Sequence, residues 1–520
     1  MALLQNMKYN STPFSLNIQD GVVFNNGNAS SLFRYCYGYN NEFVIPDETL
    51  DSSHMFAYAG NLNSNVVFCE GIENTSYMFS GCSNFNYLLD LPNEMGNMDH
   101  MFEMCYAFNR PMHIPYYNTA DSLFYSCGNL NANVTFNSHI RDMTRTFSSC
   151  GNLNRNIKLP SSLVNAIGTF GYCSNLNQNI QIPSGVVNMD STFQWCHNLD
   201  QAIAIPQGVQ HMNATFSMCS SLSHYIDLPS SLVDAGSTFS SCGNYDFNVQ
   251  IPSGVVNAGS MLSGTPINYN IQLPSGLTTA TSMFSYCRNL NQNIHIPDSV
   301  TSASGMFQDC SNLNCHIAIP LTTRAVTNIF MNCRNLYIPM VNIGSSVNDV
   351  ANICARTKIR NVRLYGNNFR NMNYIFQAVE NNYTLDLSGL TPVTTNMETG
   401  VTDWGDPIFT LTVPYDTQFY WWTTRRYEYL RSSFYNSHVC QIFGIEMSYY
   451  DWQLVQASEY NQWLSNEWYQ EHVRASIFPS GFDEELNYGR CLYYDWQNTY
   501  YNSEIQDNYT PKYTCLVKFV

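Results

Sequence analysis

Residues 170–192 read FGYCSNLNQNIQIPSGVVNMDST, and this 23-residue stretch contains each element of a unit that recurs along most of the 520-residue chain. Its phenylalanine returns every 22 or 23 residues, with a leucine and an isoleucine as the two aliphatic substitutes. Since one such unit cannot close a hydrophobic core alone, the repeat predicts a solenoid of stacked units. The sixteen positions in one phase are Phe33, Phe56, Phe79, Phe102, Phe124, Phe147, Phe170, Phe193, Phe216, Phe239, Leu262, Phe284, Phe307, Phe330, Ile353 and Phe376.

Within the unit, Ile180-Gln181-Ile182 alternates apolar, polar and apolar residues before Pro183. This alternation predicts a short strand with one buried face. Pro183 has no N–H to donate to a continuing ladder, so it ends the strand. Ser184-Gly185 is typical of a turn, and the small residues before the next phenylalanine predict a single helical or 3₁₀ turn.

The order Cys-x-x-Leu, Ile-x-Ile-Pro, a valine and then Phe-x-x-Cys resembles the BspA-type leucine-rich repeats, which are also 23 residues long. One departure is an extra residue between the leucine and the first isoleucine. The resemblance covers about residues 15–414 and implies a scaffold for adhesion and recognition, a family also found among phage structural proteins. It is carried by Cys150-Gly151-Asn152-Leu153, Leu159-Pro160, Thr169-Phe170, Cys287-Arg288-Asn289-Leu290, Ile296-Pro297 and Met306-Phe307.

The sequence predicts three regions: an N-terminal cap with a first strand (1–32), a leucine-rich-repeat solenoid of short parallel strands and turns (33–414), and a small aromatic-rich α+β domain (415–520). Irregular strands are expected at both ends of the array, because terminal units must cap the core. The expected elements are strands at 16–18, 43–46, 362–364, 385–387, 411–413 and 513–520, and a helix at about 452–474.

Twelve of the eighteen cysteines follow the repeat phenylalanine position by three residues. Stacking places them in one column, where we expect small buried thiols. A ladder of identical neighbours gives no unique disulfide pairing, and no CxxC-type spacing suggests a metal. The sequence therefore predicts neither a metal nor a cofactor. The column is Cys36, Cys82, Cys105, Cys127, Cys150, Cys173, Cys196, Cys219, Cys242, Cys287, Cys310 and Cys333.

Asparagines flank the repeat leucine, as in Asn152-Leu153-Asn154. Their amides are expected to pair with backbone groups that tight turns leave without partners, and a polar ligand ladder is the alternative.

The residue between the two strand apolars must point away from the core, because strand side chains alternate. This outward column is polar and varied, and it is the candidate binding surface. The alternative is that these side chains are only solvated. The candidate residues are Asp90, His113, Thr135, Lys158, Gln181, Asp227, Gln250, Gln272 and His295.

The region after residue 414 is rich in tyrosine and tryptophan. These amphipathic rings suit a subunit interface or a sugar-stacking platform, and they also suit the core of a small domain. All three interpretations stay open. The residues concerned are Trp421, Trp422, Trp452, Trp463, Trp468, Tyr493, Tyr494 and Trp496.

Charge and motifs exclude several classes of function. The net charge is −17 and only 12% of residues are charged, so no basic surface is available for nucleic acid. The sequence contains no apolar run of about 18 residues that could span a membrane, and Met1 to Phe14 is expected to be a poor secretory signal. The GxSxG, P-loop, HExxH and dinucleotide motifs do not occur, which predicts a non-enzymatic protein. A polysaccharide depolymerase within the C-terminal region stays open.

The first functional hypothesis is a phage virion component, such as a fibre, spike or tail-associated protein, assembled in the host cytoplasm. Its expected partners are other virion proteins or further copies of itself, a trimer among them, and a host surface protein or glycan. A reducing cytosol suits the many thiols. The alternatives are a bacterial cell-surface or secreted leucine-rich-repeat adhesin and, after that, the depolymerase.

Overall fold

The structure is a computed structural model that describes Tyr9 and residues 11–14, 24–115, 117–347, 349–359 and 361–365, together with the backbone of four later strands. The chain forms two compact units. The first comprises Met1–Asn257 and Met261–Pro266, and the second comprises Ala258–Ser260 and Ile267–Val520. We use "coil" for one repeat of 22 or 23 residues.

Regular secondary structure is sparse in the first unit. A 3₁₀ helix covers Asn25–Gly27, and four short strands follow it: β1 (Phe43–Val44), β2 (Val66–Val67), β3 (Met112–Ile114) and β4 (Val134–Phe136). β1 pairs with β2 and β3 with β4, in parallel and in register with the repeat. The strand predicted at 43–46 is therefore confirmed at its first two residues.

The second unit holds one six-stranded sheet, in the order β5-β6-β7-β8-β10-β9. Its strands are β5 (Val341–Ile343), β6 (Asn361–Tyr365), β7 (Tyr383–Gly389), β8 (Phe409–Val413), β9 (Tyr488–Tyr493) and β10 (Tyr513–Phe519). β5 to β8 are parallel, β10 pairs in parallel with β8, and β9 pairs antiparallel with β10. These bounds confirm the strands predicted at 362–364, 385–387, 411–413 and 513–520. The strand predicted at 16–18 and the helix at 452–474 lie outside the described residues, and the domain boundaries stay predictions.

At Ile180–Ile182 the predicted alternation of buried and exposed side chains is present, but the predicted β-strand is not. Ile180 is buried, Gln181 is exposed and Ile182 is half-buried, yet this segment forms no strand. The Ile180 N–H donates to the carbonyl of Gln178 in its own coil at 3.0 Å, so it does not donate to a neighbouring coil. Between the two strand pairs and β5, single bridges such as Asn165↔Asn188 join the coils.

The core is a continuous stack of phenylalanine rings. In the first unit, rings from Phe33 to Phe239 lie 5.3–5.8 Å from their neighbours, with interplanar angles of at most 11°. All of them are fully buried, as is the substitute Leu262. Each ring covers the next, which confirms the predicted column from Phe33 to Leu262 and explains why a single coil is not stable alone. The prediction of Ile353 is wrong by one residue: Cys354 holds the repeat position, because the left-handed residues two before and two after it are Asn352 and Arg356. Phe376 lies outside the described residues.

The segment around each phenylalanine is a tight turn with two kinds of backbone hydrogen bond. The N–H groups of Met189, Ser191, Phe193 and Trp195 donate to carbonyls of the next coil at 2.8–2.9 Å. Of the intervening residues, Thr192 and Gln194 donate three residues back within their own coil at 3.1 Å, whereas Asp190 donates to Asn188 Oδ1 at 2.8 Å. The predicted single turn is thus a run of turns in which alternate peptide groups link successive coils.

Candidate recognition surface

The outward column lies on the surface, one residue per coil. All nine candidate residues, from Asp90 to His295, are exposed. His113 illustrates the geometry, because it lies in β3 between the buried Met112 and Ile114, and its Nδ1 is 2.9 Å from the Oγ1 of Thr135 in β4. Binding by these residues stays a prediction.

The glutamines of this column are oriented by their own coils. Gln181 donates from Nε2 to Asn179 Oδ1 at 3.0 Å, and Gln272 donates to Asn270 Oδ1 at 3.1 Å. Gln250 donates instead to the backbone carbonyl of Asn248 at 3.3 Å. Each amide therefore keeps its carbonyl oxygen and one N–H directed to solvent, ready for a polar ligand.

The predicted aromatic platform cannot be placed by its side chains. Tyr493 is the last residue of β9, of which only the backbone is described, and the other residues lie outside the described part of the chain. They are Trp421, Trp422, Trp452, Trp463, Trp468, Tyr494 and Trp496.

A second surface, not predicted from the sequence, is formed by the tight turns, and we call it the turn face. In coil after coil, the residues two before and two after the phenylalanine position have positive φ, as at Ser191 (56°) and Trp195 (63°). A left-handed conformation is unfavourable for residues other than glycine. It is maintained here by the hydrogen bonds to the next coil. The signal available in the sequence was the frequency of serine, glycine and asparagine at these two positions.

Aromatic side chains at these positions stack into short exposed ladders. Tyr9, Tyr35 and Tyr58 form one ladder, with ring centroids 5.2 Å apart at both steps. Tyr172 and Trp195 form another, at 5.6 Å and 9°. Tyr58 and Tyr172 are exposed. The repeat thus places rigid rings on the surface at the spacing of the coils.

The third ladder, made of His54, Tyr77 and His100, contains charge. Tyr77 stacks on His54 at 4.7 Å and on His100 at 4.3 Å. His100 Nδ1 is 3.2 Å from Glu103 Oε2. Burial acts to lower the pKa of His100, but the hydrogen bond and charge of Glu103, with Asp121 and Asp99 nearby, outweigh it, so the pKa is raised above 6.5.

The pKa of His54, at the other end of the same ladder, is shifted in the opposite direction. Burial lowers its pKa below 6.5, the positive charge of Arg34 adds to that effect, and Asp51 opposes it. The two histidines therefore differ in protonation over a range of pH on either side of 6.5.

The thiol column is buried and hydrogen-bonded. Cys173 Sγ donates to the carbonyl of Phe147 at 3.1 Å, and Cys196 Sγ donates in the same way to Phe170. Burial raises the pKa of Cys242 to about 12 and that of Cys173 further. The column cysteines form no disulfides in the described part of the chain. The prediction of small buried thiols is confirmed, although the hydrogen bond to the preceding coil was not foreseen.

A buried threonine column was also missed. Thr192 Oγ1 lies 2.7 Å from the carbonyl oxygen of Met189 and 2.8 Å from that of Ala166 in the preceding coil, so its one O–H is shared between the two acceptors. The recurring Thr-Phe pair of five successive coils was its signal in the sequence. The members of this column are Thr146, Thr169, Thr192, Thr215 and Thr238, all fully buried.

The asparagines after the repeat leucine make the predicted backbone bonds. Asn154 Oδ1 accepts the N–H of Asn177 at 3.0 Å, and Asn131 Oδ1 accepts the N–H of Asn154 at the same distance. The asparagines before the leucine instead pair with one another, as Asn175 Nδ2 does with Asn152 Oδ1 at 3.3 Å.

Within the described residues, no group of three or more His, Cys, Asp or Glu side chains is arranged to hold a metal ion. None of the helices described there has the length and apolar character to cross a bilayer.

The family described as "BspA type Leucine rich repeat region" matches residues 117–245, 213–337 and 262–383, which together span just over half of the chain. The chain belongs to the BspA-type leucine-rich-repeat family. Residues 28–133 and 51–159 also match the description "Mycoplasma protein of unknown function, DUF285". No curated protein matches the chain.

Two solved structures with leucine-rich repeats are similar to this member of the BspA-type family. A leucine-rich repeat protein from Bacteroides ovatus shares 16% identity over 78% of this chain and 84% of its own, with a TM-score of 0.38. A leucine rich cell surface protein from Faecalibacterium prausnitzii shares 20% identity over 53% of this chain and 78% of its own, with a TM-score of 0.31.

Proposed function

We propose that the chain is a non-enzymatic recognition protein that binds its partner with side chains displayed on the coils. The observation that carries this proposal is the contrast between constant and varied positions. The inward positions repeat Phe, Cys and Leu with full burial. The outward column carries acid, base, amide, hydroxyl and imidazole groups on an equally regular backbone. A rigid scaffold with a varied surface is suited to specific binding at low entropic cost.

A binding experiment with surface variants tests this proposal. A triple variant, His113→Ala, Lys158→Ala and Gln181→Ala, removes three outward side chains without touching the core. The proposal expects labelled protein to bind bacterial cells saturably and this variant to bind at least tenfold more weakly, with an unchanged circular dichroism spectrum. The absence of saturable binding to cells, cell-wall material and extracellular protein would contradict the proposal.

The setting of this function is proposed separately. A virion is the first setting to test, and a bacterial cell surface is the second. The thiols do not favour either one, because buried thiols with raised pKa values stay reduced in both compartments. Immunogold labelling of particles and of cells distinguishes the two settings. Release of reducing sugar from host polysaccharide would instead indicate the depolymerase.

A further inference from the structure

One face of the first six coils, from the coil of Phe33 to that of Phe147, divides into an acidic half and a basic half. This strand face comprises the residues eight to fifteen positions after each repeat phenylalanine and includes the outward column. The first three coils carry six Asp or Glu there and no Lys or Arg, and the next three carry three Lys or Arg and no Asp or Glu. The segments concerned are 41–48, 64–71 and 87–94, followed by 110–117, 132–139 and 155–162.

The acidic half also exposes apolar side chains. Val44 and Val67 begin the outward column, lie side by side in β1 and β2, and are 59% and 39% exposed. Tyr87 and Leu88 follow in the third coil, 40% and 57% exposed. An exposed apolar patch with a polar rim is typical of a protein–protein interface. We call these four side chains and the exposed carboxylates around them the apolar-acidic patch. The carboxylates are Glu42, Asp47, Glu48, Glu70, Asp90 and Glu94.

The basic half has cations without an anionic partner, and we call Arg110, Arg155 and Lys158 the basic patch. Arg110 Nε donates to the carbonyl of Asn86 in the preceding coil at 2.8 Å. Arg155 Nε donates in the same way to Asn131 at 3.0 Å. These bonds orient the two guanidinium groups and leave their terminal NH₂ groups for a further partner. All three cations are exposed, and none pairs with a carboxylate in the described part of the chain, where the two ion pairs both involve histidine.

The remaining formal charges of these coils do not neutralise the basic patch. Between Arg110 and Lys158 they lie two to six residues before a repeat phenylalanine, in the segment that leads into the tight turn. They are Arg141, Arg145, Asp121 and Asp142. Asp142 Oδ1 accepts the hydroxyl of Thr144 at 2.6 Å, and Asp121 Oδ1 accepts that of Ser122 at 2.8 Å. Both carboxylates are therefore engaged within the turns.

We propose that the strand face of these six coils is an interface between two copies of this chain, with the apolar-acidic patch of each copy on the basic patch of the other. The two patches lie next to each other on one face. A two-fold axis parallel to the strands, between the coils of Phe79 and Phe102, therefore brings each patch onto the other. The two solenoids are antiparallel in this contact, which is self-complementary and made twice, as in isologous dimers generally.

The charged residues match across this axis, because it places residues of the same repeat position opposite each other. Glu42, nine residues after its phenylalanine, faces Arg155 of the second copy, eight residues after its own. Asp90 and His113, both eleven residues after, face each other near the axis, where an imidazole N–H donates to the carboxylate. Opposite charges thus meet at both ends of the contact.

The apolar side chains face groups that can cover them. Leu88 lies opposite Pro111 of the second copy, and Tyr87 lies opposite Arg110, whose guanidinium packs favourably on an aromatic ring. At the ends of the contact, the alkyl stem of Lys158 covers Val44. Apolar area near the axis provides affinity, and the charges provide orientation.

The charge pattern selects both the occupant and its direction. A purely anionic or purely cationic partner would fit one half of the face and be repelled by the other half. Two copies set parallel would place acidic half on acidic half, which is unfavourable for the same reason. A second copy set antiparallel satisfies both halves at once.

This interface is separate from the recognition function and limits where that function can act. It covers His113 and Lys158, so a ligand that binds these two residues competes with the second copy. Gln181 and the later outward residues lie outside the six coils and stay available in the dimer.

Sedimentation velocity of the full chain over a range of concentrations tests the interface. A monomer–dimer equilibrium is expected. Its dissociation constant should rise at least tenfold when the salt is raised from about 0.1 M to about 1 M, because charge attractions are then screened within a few ångströms.

Charge reversal tests the pairing. Glu42→Arg and Arg155→Glu each place like charges opposite each other and should weaken the dimer at least tenfold. An equimolar mixture of the two variants should dimerise again, because each chain then supplies the charge that the other lacks. Asp298→Arg and Arg324→Glu are the controls, since they make the same kinds of charge change at exposed residues of later coils and should leave the equilibrium unchanged. Leu88→Ser tests the apolar part and should also weaken the dimer at least tenfold.

Three outcomes would overturn the interface: a chain that is monomeric at every concentration, an association that both charge-reversal variants retain, or variants that do not associate when mixed. The mixture also separates loss of contact from loss of fold, because misfolded chains would not regain the dimer. Each of these outcomes leaves the recognition function standing, since that function requires binding to cells and not to a second copy.

Discussion

The Sγ of Cys196 donates a hydrogen bond to the carbonyl oxygen of Phe170, 26 residues earlier, at 3.1 Å. Phe170 is the residue whose ring packs against that of Phe193 in the phenylalanine stack. Its carbonyl oxygen also accepts the N–H of Cys173 at 3.1 Å. One carbonyl therefore ties the thiol column to the phenylalanine column in each of these coils.

Replacing the Cys196 thiol should lower the free energy of unfolding, and alanine should lower it more than serine. Cys196→Ala removes the donor and leaves a small cavity, and we expect the free energy of unfolding to fall by about 1–2 kcal/mol. Cys196→Ser keeps a donor of similar size and should lose less. Urea denaturation measures both changes. An alanine variant as stable as the parent would show that the hydrogen bond and the packing contribute nothing.

The thiols should resist modification in the folded chain. Burial raises the pKa of every column cysteine for which a shift is resolved, so the reactive thiolate is scarce. Peptide-mapped maleimide labelling should leave this column unmodified until denaturant is added. Cys315, half-buried with its pKa raised to about 11, should react first among the described cysteines. Rapid labelling of Cys173 under native conditions would contradict this expectation.

The phenylalanine stack should tolerate leucine better than alanine. Phe193→Ala leaves a large cavity between two rings, and we expect a loss of about 3–5 kcal/mol. Phe193→Leu should lose less, since Leu262 occupies the same position and is fully buried. Chemical denaturation gives both values. Equal losses for the two variants would mean that ring stacking, rather than filled volume, determines the stability of this column.

Gly96 should not accept a side chain. Its N–H donates to the carbonyl of Ile72 at 2.8 Å, and a Cβ at this position would overlap the backbone carbonyl of Glu73. Gly96→Ala must therefore push two coils apart, and we expect a loss of about 1–3 kcal/mol. Gly128→Ala is the control, because its Cβ would meet open space. Thermal unfolding should separate the two variants, and equal melting temperatures would refute the predicted overlap.

The pKa values of His54 and His100, the two histidines of the third ladder, should lie on opposite sides of 6.5. The raised pKa of His100 gives a stabilisation that is complete below 6.5 and is lost as the pH rises through the folded-state pKa. The lowered pKa of His54 gives a stabilisation present above 6.5 and lost as the pH falls. NMR of histidine-labelled protein reads both titrations. Glu103→Gln should lower the pKa of His100 and leave that of His54 nearly unchanged.

The sequence was sufficient for the features that depend on periodicity. The spacing of Phe170, Phe193 and Phe216 predicted the stack, and the offset of Cys173 and Cys196 predicted the thiol column. The alternation around Gln181 predicted which side chain is exposed, because inward positions must be apolar in every coil.

The turn face could not be predicted in the same way. Its two left-handed positions tolerate serine, tyrosine, histidine, glycine and tryptophan, so they form no column of one residue type. Their conformation depends on hydrogen bonds to the next coil, as from Ser191 to Asn213 at 2.8 Å, which join residues 22 apart.

The hydrogen bonds between the turns of successive coils also align peptide dipoles, and these dipoles add up. Met189 donates to the carbonyl of His211, and the same peptide group donates through Met212 to Asp234. Four such chains of peptide groups run along the coils, against two carbonyls per coil that point the other way, as Val187 does in accepting Gln210 and Ser174 in accepting Asn198. Their carbonyls face the earlier coils, so the first unit is a macrodipole with its negative end at the first coil. An α-helix has the opposite polarity along its chain.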